Sequence, residues 1–112
     1  MRTPYGNIPG HSYYEAPAAF FASHGYVVAV QDKRGKFRSE GIYLAEGGDA
    51  EDGYDTVDWL SKQAWSNGKI GTYGCSYAGD IQVILAKTKH PALKAMIPQG
   101  SSGVAGSVAG LY

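Results

Sequence analysis

The sequence predicts an α/β fold built on a parallel sheet, and three observations predict it. Tyr26-Val27-Val28-Ala29-Val30 is a continuous, β-branched apolar run, the pattern of a strand buried on both faces of a parallel sheet. Strand-like runs recur at 69–73 and 93–98, with helix-like runs between them, and alternation of strand and helix is the order that lays parallel strands side by side. Third, Gly74-Cys75-Ser76-Tyr77-Ala78-Gly79 joins one such strand to the next helix through a turn rich in small residues.

Taken in order, residues 1–10 hold two prolines and two glycines and read as loop. Residues 16–24 read as a short helix, with Pro17 suited to its first turn and Gly25 to its stop. The strand at 26–30 follows. Residues 31–48 carry glycines at 35, 41, 47 and 48 and many charges, so they read as a long surface loop. Asp49 is placed to cap a helix running to about Gln63. Glu51 and Asp52 suit its first turn, where the helix dipole favours acids, and Ala50, Tyr54, Val57, Ser61 and Ala64 recur at helical spacing. Trp65-Ser66-Asn67-Gly68 reads as a turn. After the strand at 69–73 and the serine turn, a helix at 81–89 lines Ile81, Ile84, Leu85 and Thr88 along one face, with Val83 adding apolar surface elsewhere, so it is expected to be well buried. Lys87, Lys89 and His90 suit its C-terminal end, and Pro91 stops it. Residues 1–98 are expected to form one partial core, and 99–112 a Gly/Ser/Ala-rich tail with no clear period.

At 112 residues, 44% hydrophobic and 18% charged, the chain has the size and composition of a small globular domain. Its formal net charge is zero, so it lacks the electrostatic footprint of a nucleic-acid or anionic-membrane binder. One cysteine, Cys75, cannot form an internal disulfide or a cysteine-based zinc site. No apolar run approaches the roughly 20 residues of a membrane span.

The serine turn carries the chemistry. A serine at a sharp strand-to-helix turn projects its hydroxyl above the sheet, and the helix N-terminus beneath it favours negative charge forming there. Such a turn is strained, so its neighbours must be small. The common form has glycine two residues after the serine; here that place holds Ala78, with Gly79 one later. The plainer reading is a glycine-rich turn with no chemistry. A dinucleotide fingerprint fails because Ser76 stands where a second glycine is needed, and a P-loop fails because no Gly-Lys-Ser/Thr follows. Cys75 precedes the elbow position and reads as a small buried filler. Asp32, Arg34, Glu40 and the acids from 51 to 55 read as structural, capping backbone groups and pairing with one another.

Further segments occur in a telling order: Arg2-Thr3-Pro4-Tyr5, Phe21-Ala22-Ser23-His24-Gly25-Tyr26, Gln31-Asp32-Lys33-Arg34-Gly35, Ser39-Glu40-Gly41, Glu51-Asp52-Gly53-Tyr54-Asp55-Thr56, Trp65-Ser66-Asn67-Gly68-Lys69-Ile70-Gly71 and Gly74-Cys75-Ser76-Tyr77. The series resembles the X-Pro dipeptidyl-peptidase and cocaine-esterase-like serine hydrolases, a group that includes α-amino-acid ester hydrolases and cephalosporin acylases. The resemblance covers about Arg2 to Pro98. It implies a partial α/β-hydrolase fold, a serine nucleophile and, further along the chain, an aspartate and a histidine. Carried over residue by residue, the nucleophile is Ser76, one oxyanion donor is the backbone N–H of Tyr77, and a second is the hydroxyl of Tyr5. The implied substrate is a small ester, amide or peptide, with X-Pro dipeptides among the candidates. No cofactor, metal, nucleic-acid or membrane partner is expected.

A serine nucleophile needs a base, and the base an orienting carboxylate. In this fold they follow the serine in the order acid, then histidine. The only histidine after Ser76 is His90, at the far end of the following helix, roughly 20 Å away at about 1.5 Å per residue. His11 and His24 precede the serine and are assigned to the surface. The family's fold also places a strand leading into the Tyr5 loop between the strands at 26–30 and 69–73, and the sequence begins at that strand's end. The chain is therefore expected to be an internal piece of a larger hydrolase whose cap region would follow residue 98. The alternative is a catalytically incomplete remnant or a non-enzymatic interaction module.

Overall fold

The computed structural model describes residues 1–8, 10, 13–44 and 47–101. The chain divides into two compact units, Met1–Ala45 and Glu46–Tyr112. Among the described residues no helix is long and apolar enough to cross a membrane.

The first unit holds β1 (Arg2–Thr3), α1 (Glu15–Ser23) and β2 (Gln31–Asp32). β1 and β2 pair in parallel, Arg2 beside Gln31 and Thr3 beside Asp32. The Met1 ammonium donates to the Ala29 carbonyl at 2.7 Å, and the backbone N–H of Lys33 donates to the Thr3 carbonyl at 2.8 Å. Two expectations change here. Residues 2–3, read as loop, form a strand. Residues 26–30, read as a doubly buried strand, are not one: Tyr26 and Val27 are each 65% exposed. The register explains both. Arg2 lies opposite Gln31, so Met1 lies opposite Val30, and among the described residues no strand pairs with Tyr26 to Ala29. A β-branched run without a neighbouring strand has no ladder to join. α1 lies within one residue of its expected limits at each end, with Gly25 at φ +85° after it.

The loop after β2 is less superficial than its charges suggested. Lys33 is buried, its Nζ donating to the Leu44 carbonyl at 3.1 Å and lying 5.1 Å from the Tyr43 ring centroid. Asp32 is also buried, and its Oδ2 accepts the Arg38 N–H at 3.4 Å. Gly35 makes the fold-back possible: its φ is +70°, and a Cβ there would stand 2.1 Å from the Tyr43 backbone nitrogen.

The second unit is α2 (Asp49–Ser61), β3 (Ile70–Cys75), α3 (Tyr77–Ala86) and β4 (Leu93–Gln99). β3 and β4 pair in parallel from Ile70 beside Leu93 to Cys75 beside Gln99, with one irregularity after Ile70. Val57 of α2, Leu85 of α3 and Ala92 form the core, with Ile70 and Leu93 packed against it. α2 begins one residue earlier than expected, because the N-cap is Gly48 at φ 74° and Asp49 is the first helical residue. Its buried face is Asp49, Gly53 and Val57, rotated by one residue from the predicted Ala50–Tyr54 line. It ends two residues early, where Lys62 and Gln63 donate to carbonyls three residues back instead of four.

α3 starts earlier than the apolar periodicity indicated, directly after Ser76. It stops at Ala86, where Lys87, Thr88 and Lys89 bond in the tighter three-residue pattern and Lys89 takes φ 54°. Its buried face is Ala78, Gly79, Ile81, Gln82 and Leu85. β3 extends to Cys75 and β4 to Gln99, so Gln99, expected in the tail, is in the sheet. Gly100 and Ser101 follow it, and the expected tail from residue 102 on lies outside the described residues.

Candidate active site on a strained strand-to-helix turn

Ser76 ends β3 and opens α3 with φ 59° and ψ −129°. That conformation is sparsely populated for a residue with a side chain and persists only where its surroundings enforce it. Here they do. The Ser76 N–H donates to the Gln99 carbonyl at 3.0 Å, and the Ser76 carbonyl accepts from Gly79 N at 2.7 Å and Asp80 N at 3.0 Å. A serine before a helix ordinarily bends its hydroxyl back to cap the first turn. Ser76 makes no such side-chain cap, and the residue is exposed.

Space explains the small residues. A Cβ at Gly74 would stand 2.7 Å from the Ala78 Cβ, and one at Gly79 would stand 2.7 Å from the Gln99 carbonyl oxygen. Neither distance is available to a real side chain. Gly74 and Ala78 face each other, and only one of them can carry a Cβ. Alanine therefore fits two residues after the serine because glycine sits two residues before it.

Two side chains brace the turn. The Tyr77 hydroxyl donates to Asp49 Oδ2 at 2.8 Å, tying the start of α3 to the start of α2. Gln82, buried on α3, accepts from the Thr72 hydroxyl at 2.8 Å. Its amide nitrogen donates to the carbonyls of Ala78 at 2.8 Å and of Gly74 and Ile97 at 3.3 Å each. Sequence reading missed both roles. Asp49 looked like a helix cap, and a glutamine between two apolar positions gave no signal of burial. Asp80, in the first turn of α3, accepts from the Ser101 hydroxyl at 2.8 Å.

The remaining predicted residues fall out as follows. Tyr5 belongs to the first unit, is half exposed, and has its backbone N–H on the Thr3 hydroxyl at 3.0 Å. Cys75 is exposed, which corrects its reading as buried filler. Side chains alternate along a strand, so with Gly74 facing α3, Cys75 faces the opposite, uncovered side. His90 is buried; its Nδ1 accepts the Ala92 N–H at 3.1 Å, and its ring meets Tyr54 edge-on at 4.4 Å. The ring proton is then on Nε2, 3.7 Å from Asp58 Oδ1. Asp58 is held below the usual carboxylate range chiefly by its hydrogen bond from Lys62. His24 is exposed, with Nδ1 2.8 Å from the Phe20 carbonyl. His11 lies outside the described residues. The ten residues of α3 put about 15 Å between Ser76 and the helix end that leads to His90.

The X-Pro dipeptidyl-peptidase (S15 family) model matches residues 1–108. Cocaine esterase from Rhodococcus sp. (strain MB1 Bresler) is 40% identical over 82 residues, which is 73% of this chain and 14% of the esterase. An α-amino acid ester hydrolase superposes with a TM-score of 0.73 at 35% identity, over 89% of this chain and 20% of that one. A CocE/NonD family hydrolase from Staphylococcus aureus superposes with a TM-score of 0.65 at 39% identity, over 75% of this chain and 15% of that one. The chain thus spans a seventh to a fifth of the length of these relatives. Its parallel strands and flanking helices are a partial α/β-hydrolase fold, and the chain belongs to the X-Pro dipeptidyl-peptidase (S15) family.

Proposed function

We propose that this chain is the nucleophile-bearing part of a serine hydrolase that cleaves a small ester or amide through an acyl-enzyme. The observation that carries the reading is Ser76 itself: φ 59°, exposed, and not capping the helix it precedes. A merely structural serine at a helix start has no reason to bear that strain. In the proposed reaction Ser76 Oγ gives its proton to a base and bonds to the substrate's acyl carbon. The C–O or C–N bond then breaks, and the leaving group takes the proton. Water releases the acyl group by the reverse sequence. Negative charge builds on the former carbonyl oxygen, where the Tyr77 N–H and the Tyr5 hydroxyl are the assigned donors.

The base and its carboxylate are assigned to a part of the hydrolase beyond these 112 residues, since the described histidines are engaged elsewhere. The names of the relatives, an esterase, an ester hydrolase and a dipeptidyl-peptidase family, support ester and amide bonds as the substrate class. The neutral formal charge supports a small substrate over nucleic acid or a membrane surface. Residues 1–98 are the proposed core contribution, and those after it lead toward the cap.

Kinetics of the longer hydrolase test this. Ser76→Ala is expected to abolish turnover of p-nitrophenyl acetate and of Gly-Pro-p-nitroanilide. Tyr5→Phe keeps the ring and removes one donor, so kcat is expected to fall about 100- to 1,000-fold, with KM changed far less. A Tyr5→Phe enzyme within about twofold of wild type in kcat would return Tyr5 to a structural loop role.

A further inference from the structure

We infer that Asp49 is a positioning residue for the reaction: it holds the Tyr77 phenol and through it fixes the peptide whose N–H receives the oxyanion. The inference rests on the serine-hydrolase reading above. Asp49 is 4% exposed at the first position of α2, a costly place for a carboxyl group unless it is engaged. Its Oδ2 takes the Tyr77 hydroxyl at 2.8 Å, across 28 residues of sequence.

Tyr77 is the residue whose backbone matters. The Ser76–Tyr77 peptide lies between a serine at ψ −129° and the first turn of α3. Rotation of that peptide re-aims the Tyr77 N–H. The main-chain bonds hold the Ser76 N–H through Gln99 and, through Gly79 and Asp80, the Ser76 carbonyl, which is one end of the same planar peptide. The phenol–carboxyl bond acts from the other side of the peptide, fixing the Tyr77 side chain and hence its Cα. α2 in turn is anchored by Val57 in the core that Leu85 of α3 shares. Asp49 therefore ties the donor to a rigid helix pair without touching a reacting atom. Preorganised donors lose their effect when misaimed by little, because their value lies in needing no rearrangement as charge develops.

The test is a kinetic series in the longer hydrolase, with kcat counted per serine titrated by a fluorophosphonate, so that a loss of folded enzyme does not register. Tyr77→Phe removes one oxygen and is expected to lower kcat per site about tenfold or more with KM nearly unchanged, a fraction of the full loss of a donor. Asp49→Ala should match it, and the double variant should lose no more than either alone, because one bond is broken in all three. Asp49→Asn keeps an acceptor at the same place and should recover most of the loss. If Asp49→Ala does not fold, Tyr77→Phe and Asp49→Asn decide. Tyr77→Phe with kcat per site within about twofold of wild type overturns the inference. Ser76→Ala, run alongside, separates the two claims. Turnover surviving in Ser76→Ala sinks the serine reading and this one with it, whereas turnover lost there but intact in Tyr77→Phe sinks only the tether.

Discussion

A serine at φ 59° pays in stability for where its hydroxyl points, and the size of that strain is measurable. Glycine adopts such a conformation without penalty, whereas a strained non-glycine residue costs about 1–3 kcal/mol. Ser76→Gly is therefore expected to raise the unfolding free energy of the chain by about 1 kcal/mol or more, while Ser76→Ala, which keeps the Cβ, gains nothing comparable. Urea titration of the three proteins checks this, and a Ser76→Gly chain no more stable than Ser76→Ala would remove the strain from the account. The neighbouring glycines are fixed by space. Gly74→Ala drives a Cβ to 2.7 Å from that of Ala78 and is expected to cost about 1–3 kcal/mol. Pairing it with Ala78→Gly should recover little of that loss, since the new Cβ would still stand 2.7 Å from the backbone carbonyl oxygen at position 78. At this scale the sequence was highly legible. The spacing of glycine, serine and small residues needs only steric reasoning to be read. The Asp49–Tyr77 bond was not legible, because 28 residues separate its partners and no local rule brings them together.

Among the elements, those that carry their own partners were readable and those that borrow them were not. β3, α3 and β4 form one strand–helix–strand unit whose pieces satisfy one another, and all three lie where the apolar runs indicated, with shifts at the ends. Residues 26–30 have the strand composition but no facing strand among the described residues, so composition alone misled. The buried line of α2 was misplaced by one residue because Asp49, a charged residue, is on it, and hydrophobic periodicity cannot see a buried carboxyl. Gln82 was passed over for the same reason. It links α3 to both strands through three hydrogen bonds and makes a fourth within α3, so Gln82→Ala is expected to cost about 1–3 kcal/mol by leaving buried carbonyls and the Thr72 hydroxyl short of partners. A loss below about 0.5 kcal/mol in the same titration would mean that water replaces the amide. The β1–β2 unit has a pH signature of its own. Burial, aided by Arg2, lowers the Met1 ammonium from 8.0 to about 6. The folded chain then binds fewer protons than the unfolded one between those values, so stability rises with pH across that window, by about 2–3 kcal/mol if the whole shift is expressed. The gain is absent below about pH 6 and complete above about pH 8. N-terminal acetylation of the 112-residue chain should abolish that rise; an acetylated chain with an unchanged pH profile would contradict the assignment to Met1.

For the whole molecule, family and partial fold were readable because the ordered segments from Arg2 to Tyr77 are individually weak and jointly specific. Of the proposed catalytic machinery, the sequence offers a candidate nucleophile, Ser76, and no base. Among the described histidines, His90 is tied to Ala92 and faces Asp58 at the opposite end of α3 from Ser76, and His24 Nδ1 lies 2.8 Å from the Phe20 carbonyl. The 112-residue chain by itself is therefore expected to show no hydrolysis of p-nitrophenyl acetate above buffer. Turnover that disappears in Ser76→Ala would show that a base is present after all. The central claim is that Ser76 attacks. A fluorophosphonate probe reports this most directly in the longer hydrolase, because it bonds to the activated oxygen and marks the residue for peptide mass mapping. The account predicts one adduct, on the peptide containing Ser76, and no adduct in Ser76→Ala. An adduct on another residue, or labelling undiminished in Ser76→Ala, would contradict it.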